Sequence, residues 1–410
     1  MSLWRSNTFL LLWGGLTAGE LGARISGVAV PLLAATVLHA SVLQVSLLTL
    51  VAWAPYLVFS LPAGVLADRV DRRRLMIACD LGRAALMLSL PVVALTAHLT
   101  LALLYVVVSL TGVLTVLFTV AYRTELPRLV APERLVDANA KVTMSQDAAD
   151  LVGPALGGAL IGLVGAARTF FANGATYLVS AACLALIREP AHDRSTMERV
   201  SLRAAVREGL GFIRRDPILV RILACTTAAN FFVMATHGVD VVFLTRELHA
   251  TPPQVGLVFS LGAVGGLAAG TVAGRLSRRF GTARMIWLSM IVPGPLYLLI
   301  PAAQPGPGLV LFGLGFAAFG ANSMLYNVAA MSYRQQVTPP PLLGRVNASF
   351  MWICYGAIPL GSLFGGALAS QAGIRPALLV SSLGMWGAGL FVVFSPLRTM
   401  RELPEPAAAR

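Results

Sequence analysis

Long apolar segments alternate with short polar links over nearly the whole chain. Each apolar run has about 18 residues or more, enough for a helix to cross roughly 30 Å of hydrocarbon. Backbone groups in a bilayer must be hydrogen bonded internally, so such runs predict helices. We place twelve spans at about 9–38, 42–66, 75–97, 99–121, 142–165, 168–187, 219–247, 254–274, 285–303, 308–331, 346–371 and 375–396. The first begins near Phe9 without a cleavage site, which predicts a retained span.

Composition agrees with a membrane protein. Hydrophobic residues make up 57% of the chain and charged residues 12%, and the mean hydropathy is +0.77, whereas soluble domains are about 25% charged. A soluble core is therefore excluded, and we predict an all-α membrane protein. The net charge of +13 is explained by membrane topology, so no nucleic-acid partner is predicted.

The distribution of basic residues predicts the orientation. Arg and Lys in short loops stay on the cytoplasmic side. Of the 31 basic residues, three lie at the ends of spans on one side and two lie within spans, whereas the other 26 lie on the opposite side. We therefore expect a multi-pass protein of the cell inner membrane with both termini in the cytoplasm.

The longest link on the basic side divides the chain. Seven arginines alternate with apolar residues between Arg188 and Pro217, a pattern that predicts an amphipathic helix on the inner leaflet, facing anionic lipid. A solvated linker helix and a regulatory segment are the two alternative roles. The predicted domains are a six-helix bundle at 1–187, a linker at 188–218 and a second six-helix bundle at 219–410.

Internal repetition supports these two halves. A shift of 208 residues superposes the Gly-Gly-Ala-Leu sequence that starts at Gly157 on the one that starts at Gly365. A shift of 210 superposes Ala63-Gly64 on Ala273-Gly274. Six helices separate equivalent residues, so the repeats are parallel and predict two pseudo-symmetric bundles.

A charged motif follows the second span, where an inner gate is predicted. A glycine allows close approach of a neighbouring helix, an aspartate can face a positive helix N-terminus, and arginines supply ion pairs that two states make or break. Asp80 and Arg83 share one face of the third span and extend this motif. An ordinary basic anchor would explain the arginines but not the Gly-Asp spacing. The candidates are Gly64, Asp68, Arg69, Arg72, Asp80 and Arg83.

A glycine-proline motif lies in the fifth span. Small residues at a spacing of four make a close-packing face, and a proline frees a backbone carbonyl so that the helix can bend. Close helix packing alone would explain the motif equally well. The predicted helix-bending residues are Gly153, Pro154, Gly157 and Gly158.

Three segments resemble known transporters. The motif from Gly64 to Arg74 resembles the loop signature of the major facilitator superfamily, and the glycine-proline motif resembles that of drug antiporters. The run from Thr124 to Ala140 is similar to the inner loop of the third drug:proton antiporter family, which includes macrolide and enterobactin exporters. The resemblance covers Trp4 to Arg398 and implies the major facilitator fold with proton-coupled export by alternating access.

Ionisable residues within spans are costly, so they are functional candidates. Glu20 and Arg24 are four apart on one face of the first span, where they form either a proton-coupling site or a purely structural pair. Asp150 either pairs with an arginine of the inner-gate motif or is protonated during transport. Asp240, three residues after His237, is either part of a proton relay or an outer gate paired with Arg246 or Arg168. Proton coupling is thus assigned to Glu20, Asp150 and Asp240, with Arg24 as the ion-pair partner.

Cargo contacts are expected from polar and aromatic residues at mid-depth. A large apolar cavity with few polar groups suits lipophilic molecules. The substrate-binding candidates are Trp53, Tyr56, Asn173, Tyr177, Asn230, Asn322 and Tyr326.

Other functional classes lack their motifs. The sequence has no G-x-x-x-x-G-K-[ST] loop for a nucleotide-driven pump, no cluster of histidines for catalysis, and four cysteines without metal-type spacing. We therefore predict no enzyme activity, catalytic residue, metal or cofactor. The predicted partners are a small-molecule substrate, protons and the lipid bilayer, and the chain is expected to be a monomer. Export of drugs or antibiotics is the main prediction; export of one metabolite such as a siderophore, and lipid flipping, are the alternatives.

Overall fold

The computed structural model describes residues 3–96, 98–187 and 202–402, with side chains throughout except at 5, 60–69, 132, 202–206 and 340. These residues form helices joined by short links, and no strand occurs among them. Twelve helical segments within them are long and apolar enough to cross a membrane. The predicted fold class is therefore confirmed.

Fifteen α-helices are numbered here in chain order. They are α1 Asn7–Leu32, α2 Val42–Arg69, α3 Arg72–Thr96, α4 Leu101–Leu129, α5 Leu135–Val164, α6 Ala166–Leu186, α7 Leu202–Arg215, α8 Pro217–Val242, α9 Pro252–Phe280, α10 Thr282–Ile291, α11 Leu299–Ala302, α12 Gly308–Val337, α13 Pro340–Ala372, α14 Ile374–Gly387 and α15 Leu390–Val393. The ninth span combines α10 with α11, and the twelfth combines α14 with α15. Helix α8 is the seventh span.

Several helices are longer than the predicted spans. The sequence places the fourth span's end near residue 121 and the fifth span's start near 142, but α4 continues to Leu129 and α5 begins at Leu135. Hydropathy marks only the part of a helix that lies in hydrocarbon, whereas backbone hydrogen bonding continues into water. The predicted inner loop around Glu125 is therefore mostly helical.

The repeat extends to local backbone irregularities. Helices α1 and α8 both end in a π-helical turn, Leu33–Val37 and Phe243–Glu247, and these turns lie 210 residues apart. His39 and His249 follow them with positive φ angles of 49° and 53°. Such angles are uncommon outside glycine, so their occurrence at equivalent positions is a specific mark of duplication.

The chain forms two compact units. Unit 1 contains the described residues within Met1–Ser41, Val51–Thr196 and Ala250–Ser260, and unit 2 contains the remainder. Each half of the sequence thus gives a short helical segment to the other unit: α2 provides Val42–Leu50 and α9 provides its first residues. Residues 188–201 of the predicted linker lie outside the described part of the chain.

Helix α7, the described part of the linker, packs on the start of α13 in unit 2. Gly209 is buried against the backbone carbonyl of Arg345 and the hydroxyl of Ser349. Ile213 lies in the apolar core of the unit, and Glu208 forms an ion pair with Arg345. The apolar face of α7 therefore contacts protein, where the sequence predicted a helix lying on lipid.

We expect Gly209→Ala to loosen α7. The new methyl group would lie 2.8 Å from the Arg345 carbonyl carbon and closer still to its oxygen, so the helices must separate. Trypsin cleavage after Arg207 and Arg214 should become faster. Gly211→Ala is the matched control, because no atom lies within 4 Å of the added methyl. Equal cleavage of the two variants would contradict the packing described.

Candidate functional site

Helices α1 and α5 pack side by side in unit 1. The Trp13 indole N–H donates to the Lys141 carbonyl at 3.3 Å, Gly153 lies against the Arg24 side chain, and Gly157 lies against the Ile25 backbone. These contacts advance together along both helices, so α1 and α5 run parallel. The glycines of α5 allow the close approach, which places the polar residues of the two helices within reach of each other.

Arg24 lies between two carboxylates at this contact. Its Nε atom is 2.6 Å from Asp150 Oδ1, and its Nη2 atom is 3.6 Å from Glu20 Oε2. Gln146 donates to Glu20 Oε1 at 3.4 Å. Two acids share one base, so the group has a formal charge of −1 when both acids are ionised. The i, i+4 pair predicted from sequence is thus present, and Asp150 joins it.

The side chains of this charge cluster are partly exposed. Glu20, Arg24 and Asp150 have side-chain exposures of 33%, 42% and 44%. Ionised groups facing hydrocarbon cost several kcal/mol, so such groups normally face water or a protein interior. We therefore interpret this face of unit 1 as accessible to water, where protons and solutes can reach the carboxylates.

Two predicted cargo residues lie in the interior of unit 1. Asn173 of α6 is fully buried and donates to the Gly22 carbonyl and to the Ser26 hydroxyl, the latter at 2.5 Å. Tyr177 is 2% exposed and packs under the Arg83 guanidinium. Both side chains hold helices together in this structure, which leaves neither available to a ligand.

Gly153→Ala should disturb the charge cluster by preventing the close approach of α5 to α1. A methyl group there overlaps the Arg24 Cβ, so α1 must shift, at a cost of about 1–3 kcal/mol. Gly14→Ala is the control, because its methyl group meets no atom within 4 Å and the change improves helix propensity. Thermal unfolding in detergent should fall for the first variant and hold or rise for the second. Equal melting temperatures would exclude the proposed close contact.

The inner-gate candidates occupy different places. Asp80 and Arg83 form a fully buried ion pair in α3, with the guanidinium 4.3 Å from the Phe118 ring centroid. The sequence predicted that this pair extends the inner-gate motif, whereas Phe118 of α4 and Tyr177 of α6 enclose it. Arg72 is half-buried at the start of α3. The side chains of Gly64, Asp68 and Arg69 lie outside the described residues.

Arg73 is a residue that sequence reasoning missed. Its guanidinium donates to the Leu184 and Ala185 carbonyls at 2.7 and 2.5 Å, which caps the last turn of α6. Asp71 accepts from the Arg74 backbone N–H at 3.0 Å and starts α3. A basic side chain near free helix carbonyls is favourable, but only the fold shows which helix end is near.

Asp240 lies near the end of α8 in unit 2. It is 2% exposed, and its Oδ1 atom has no hydrogen-bond partner within the described residues. Arg375 pairs with Glu247 at 2.8 Å and donates to the Pro301 carbonyl. A charged contact beyond this end of α8 thus involves Glu247.

The remaining cargo candidates divide by burial. Asn322 and Tyr326 are buried in unit 2, and the Tyr326 hydroxyl donates to the Ile222 carbonyl at 3.1 Å. Asn230 is half-buried on α8. Trp53 and Tyr56 of α2 are half-buried, with ring centroids 5.1 Å apart. The side chains of Asn230, Trp53 and Tyr56 are thus only partly enclosed by protein, and the Asn230 amide donates to the Cys354 carbonyl at 3.5 Å.

The glycine-proline motif lies where α5 meets the first residues of α9. A Cβ at Gly158 would lie 3.0 Å from the Gly256 Cα. The Ala155 backbone N–H, next to Pro154, donates to the Ser260 hydroxyl at 3.2 Å. Helix α5 continues unbroken through the proline, and its glycines lie in close contact with α1 and α9. Within the described residues, no group of three or more acidic, His or Cys side chains could hold a metal ion.

Comparisons with known proteins agree with this architecture. Residues 1–409 match the family described as transmembrane secretion effector. The chain is 29% identical to the multidrug efflux pump Tap of Mycolicibacterium fortuitum, covering 97% of each chain. It is 24% identical to macrolide efflux protein A of Streptococcus pyogenes, covering 91% of this chain and 92% of that one. It is 26% identical to the enterobactin exporter EntS of Citrobacter koseri, covering 92% and 89%.

A solved structure shows the same fold. A point mutant of the nucleoside transporter NupG superposes with a TM-score of 0.76 at 11% identity, covering 95% of this chain and 100% of that one. Identity this low supports the fold alone. Together with twelve spans, an internal repeat and a family match over nearly the full length, the chain belongs to the transmembrane secretion effector family of major facilitator superfamily transporters.

Proposed function

We propose that this transporter exports small lipophilic compounds by proton antiport with alternating access. The observation that carries the proposal is the partly exposed group of Glu20, Arg24 and Asp150, in which two carboxylates share one guanidinium. A group of this kind can accept one proton and become neutral. Major facilitator transporters work by rocking two repeats about a central site.

Protonation would act by changing the charge of the α1–α5 contact. In the deprotonated state Arg24 attracts both carboxylates, and one negative charge remains. A proton on Glu20 leaves the Arg24–Asp150 pair at 2.6 Å and a neutral acid beside Gln146. The protonated and deprotonated clusters differ in the free energy of exposure to water. A proton gradient can therefore bias the conformational equilibrium. Asp240, buried with an oxygen that lacks a described partner, is a second proton candidate.

Cargo class is inferred from the relatives and from two aromatic residues of α2. Similar proteins are named as multidrug, macrolide and enterobactin exporters, all of which act on small molecules. Trp53 and Tyr56 of α2 provide partly exposed aromatic surface in unit 1, which suits a mainly apolar solute. The likeness to EntS favours export of a specific siderophore as the second candidate. We place the protein in the cell inner membrane as a monomer with cytoplasmic termini.

The test is a transport assay in proteoliposomes with an imposed pH gradient. The panel contains radiolabelled macrolides, other lipophilic drugs, native siderophores and a labelled phospholipid. Gradient-dependent movement of several unrelated drugs supports the proposal. Movement of one siderophore only supports dedicated export, and phospholipid movement alone supports flipping. Drug transport that is unaffected by collapsing the pH gradient would overturn proton coupling.

A further inference from the structure

We propose that α7 is a docking surface for the headgroups of anionic phospholipids, at the membrane surface where α8 begins. Arg207, Arg214 and Arg215 are all exposed on α7, and Arg221 is exposed on the first turns of α8. Arg207 and Arg214 are seven residues apart, which places them on one face about two turns apart. These arginines form a basic surface that the transport mechanism does not use.

The opposite side of α7 is occupied by protein. Gly209 contacts α13, and Ile213 is buried in the apolar core of unit 2. An ordinary interfacial helix inserts its apolar face into lipid, but here that face is taken. Attachment to the membrane would therefore depend on the arginines.

The acidic residue of the helix does not cancel this charge. Glu208 is paired with Arg345 of α13, so the three exposed arginines of α7 keep their charge toward the surroundings. Basic residues next to a membrane attract anionic headgroups, each adding to the binding. The sign and the position of the charge together select a phospholipid phosphate as the occupant.

The height of α7 relative to the membrane is fixed by its connection to α8. Asp216 caps α8 by accepting from the Ile218 backbone N–H at 2.8 Å and the Leu219 N–H at 3.1 Å, and the Tyr333 hydroxyl donates to Asp216 at 3.1 Å. Arg214 and Arg215 come directly before this cap. They consequently lie at the level where the seventh span enters the bilayer, within reach of headgroups.

The experiment measures binding of phosphatidylglycerol to the full chain. Native mass spectrometry would follow lipid bound in detergent, and thermal unfolding would follow it in phosphatidylcholine nanodiscs with increasing phosphatidylglycerol. The test variant is R207Q/R214Q/R215Q. The control is R275Q/R278Q/R279Q, which removes three exposed arginines near the end of α9. The variant R207K/R214K/R215K keeps the charge.

We expect the triple Gln variant of α7 to bind phosphatidylglycerol at least about tenfold more weakly than wild type, given the contribution of each basic residue near the surface. The Lys variant and the α9 control should bind as wild type does, and high salt should weaken wild-type binding. Unchanged binding by the triple Gln variant would overturn the proposal. An equal loss in the α9 control, or full competition by inorganic phosphate, would overturn it as well, because either result indicates a general anion effect.

Discussion

Glu20→Gln is expected to lower transport driven by a pH gradient by at least about tenfold, a factor that corresponds to only about 1.4 kcal/mol of coupling free energy. The amide cannot take up a proton, and the Arg24–Asp150 pair that remains is already neutral. The variant should still bind cargo, because Glu20 supplies charge at the α1–α5 contact while the aromatic candidates lie on α2. The measurement is uptake into inverted vesicles with and without the gradient, together with cargo binding in detergent.

The control for this prediction is Asp147→Asn. Asp147 is an exposed acid on α5, three residues before Asp150, so the change removes a carboxylate that lies close to the charge cluster without belonging to it. It should leave gradient-driven transport within about twofold of wild type. If Glu20→Gln transports as well as wild type does, Glu20 carries no protons. If Asp147→Asn fails equally, the effect is one of overall negative charge around the α1–α5 contact.

Arg83→Gln is expected to have the largest effect on stability. Removing one partner of a buried ion pair leaves the other charge without compensation, at a cost of about 3–5 kcal/mol. Asp80 is fully buried, and Arg83 has only 5% side-chain exposure. The guanidinium also packs against the Phe118 and Tyr177 rings. Thermal unfolding in detergent should show a large decrease for this variant.

The same helix offers a matched control pair. Asp71 and Arg74 have the same i, i+3 spacing at the start of α3, but they are 49% and 88% exposed and 3.6 Å apart. Exposed pairs contribute about 0–1 kcal/mol, so Arg74→Gln should change the melting temperature little. The double variant Asp80→Asn/Arg83→Gln should recover much of the loss, since no isolated charge remains. Equal effects of Arg83→Gln and Arg74→Gln would refute the buried-pair account.

Sequence patterns predicted the depth of a residue in the membrane more reliably than the side of its helix that the residue occupies. Hydropathy located twelve spans, and the repeat indicated two bundles, because both can be recognised from the order of residues along the chain. Asn173 and Tyr177 were assigned to cargo by their mid-depth positions. They turned out to face α1 and α3, since depth along a helix says nothing about which of its sides faces a neighbour.

The charge cluster illustrates the same limit. Spacing of four residues was enough to pair Glu20 with Arg24, because both lie on one helix. The contact of Arg24 with Asp150 joins residues 126 positions apart and depends on Gly153 allowing α5 to approach α1. The sequence left Asp150 with two alternatives for this reason. A basic residue within its reach could be identified only after the helices were placed.

The duplication also distributes charge unequally. A shift of 210 residues brings Glu20 onto Asn230 and Arg24 onto Met234, so the second repeat has no equivalent of the ionisable pair. A charge that crosses the membrane field changes in energy by about 2.3 kcal/mol per 100 mV. Under the proposed mechanism the deprotonated cluster of Glu20, Arg24 and Asp150 would carry one negative charge through that field as the transporter reorients, and the protonated cluster would carry none. In the proposed antiport the drug-free step occurs with the proton bound, so the membrane voltage, and not only acidity, would set the rate of the step that carries cargo outward.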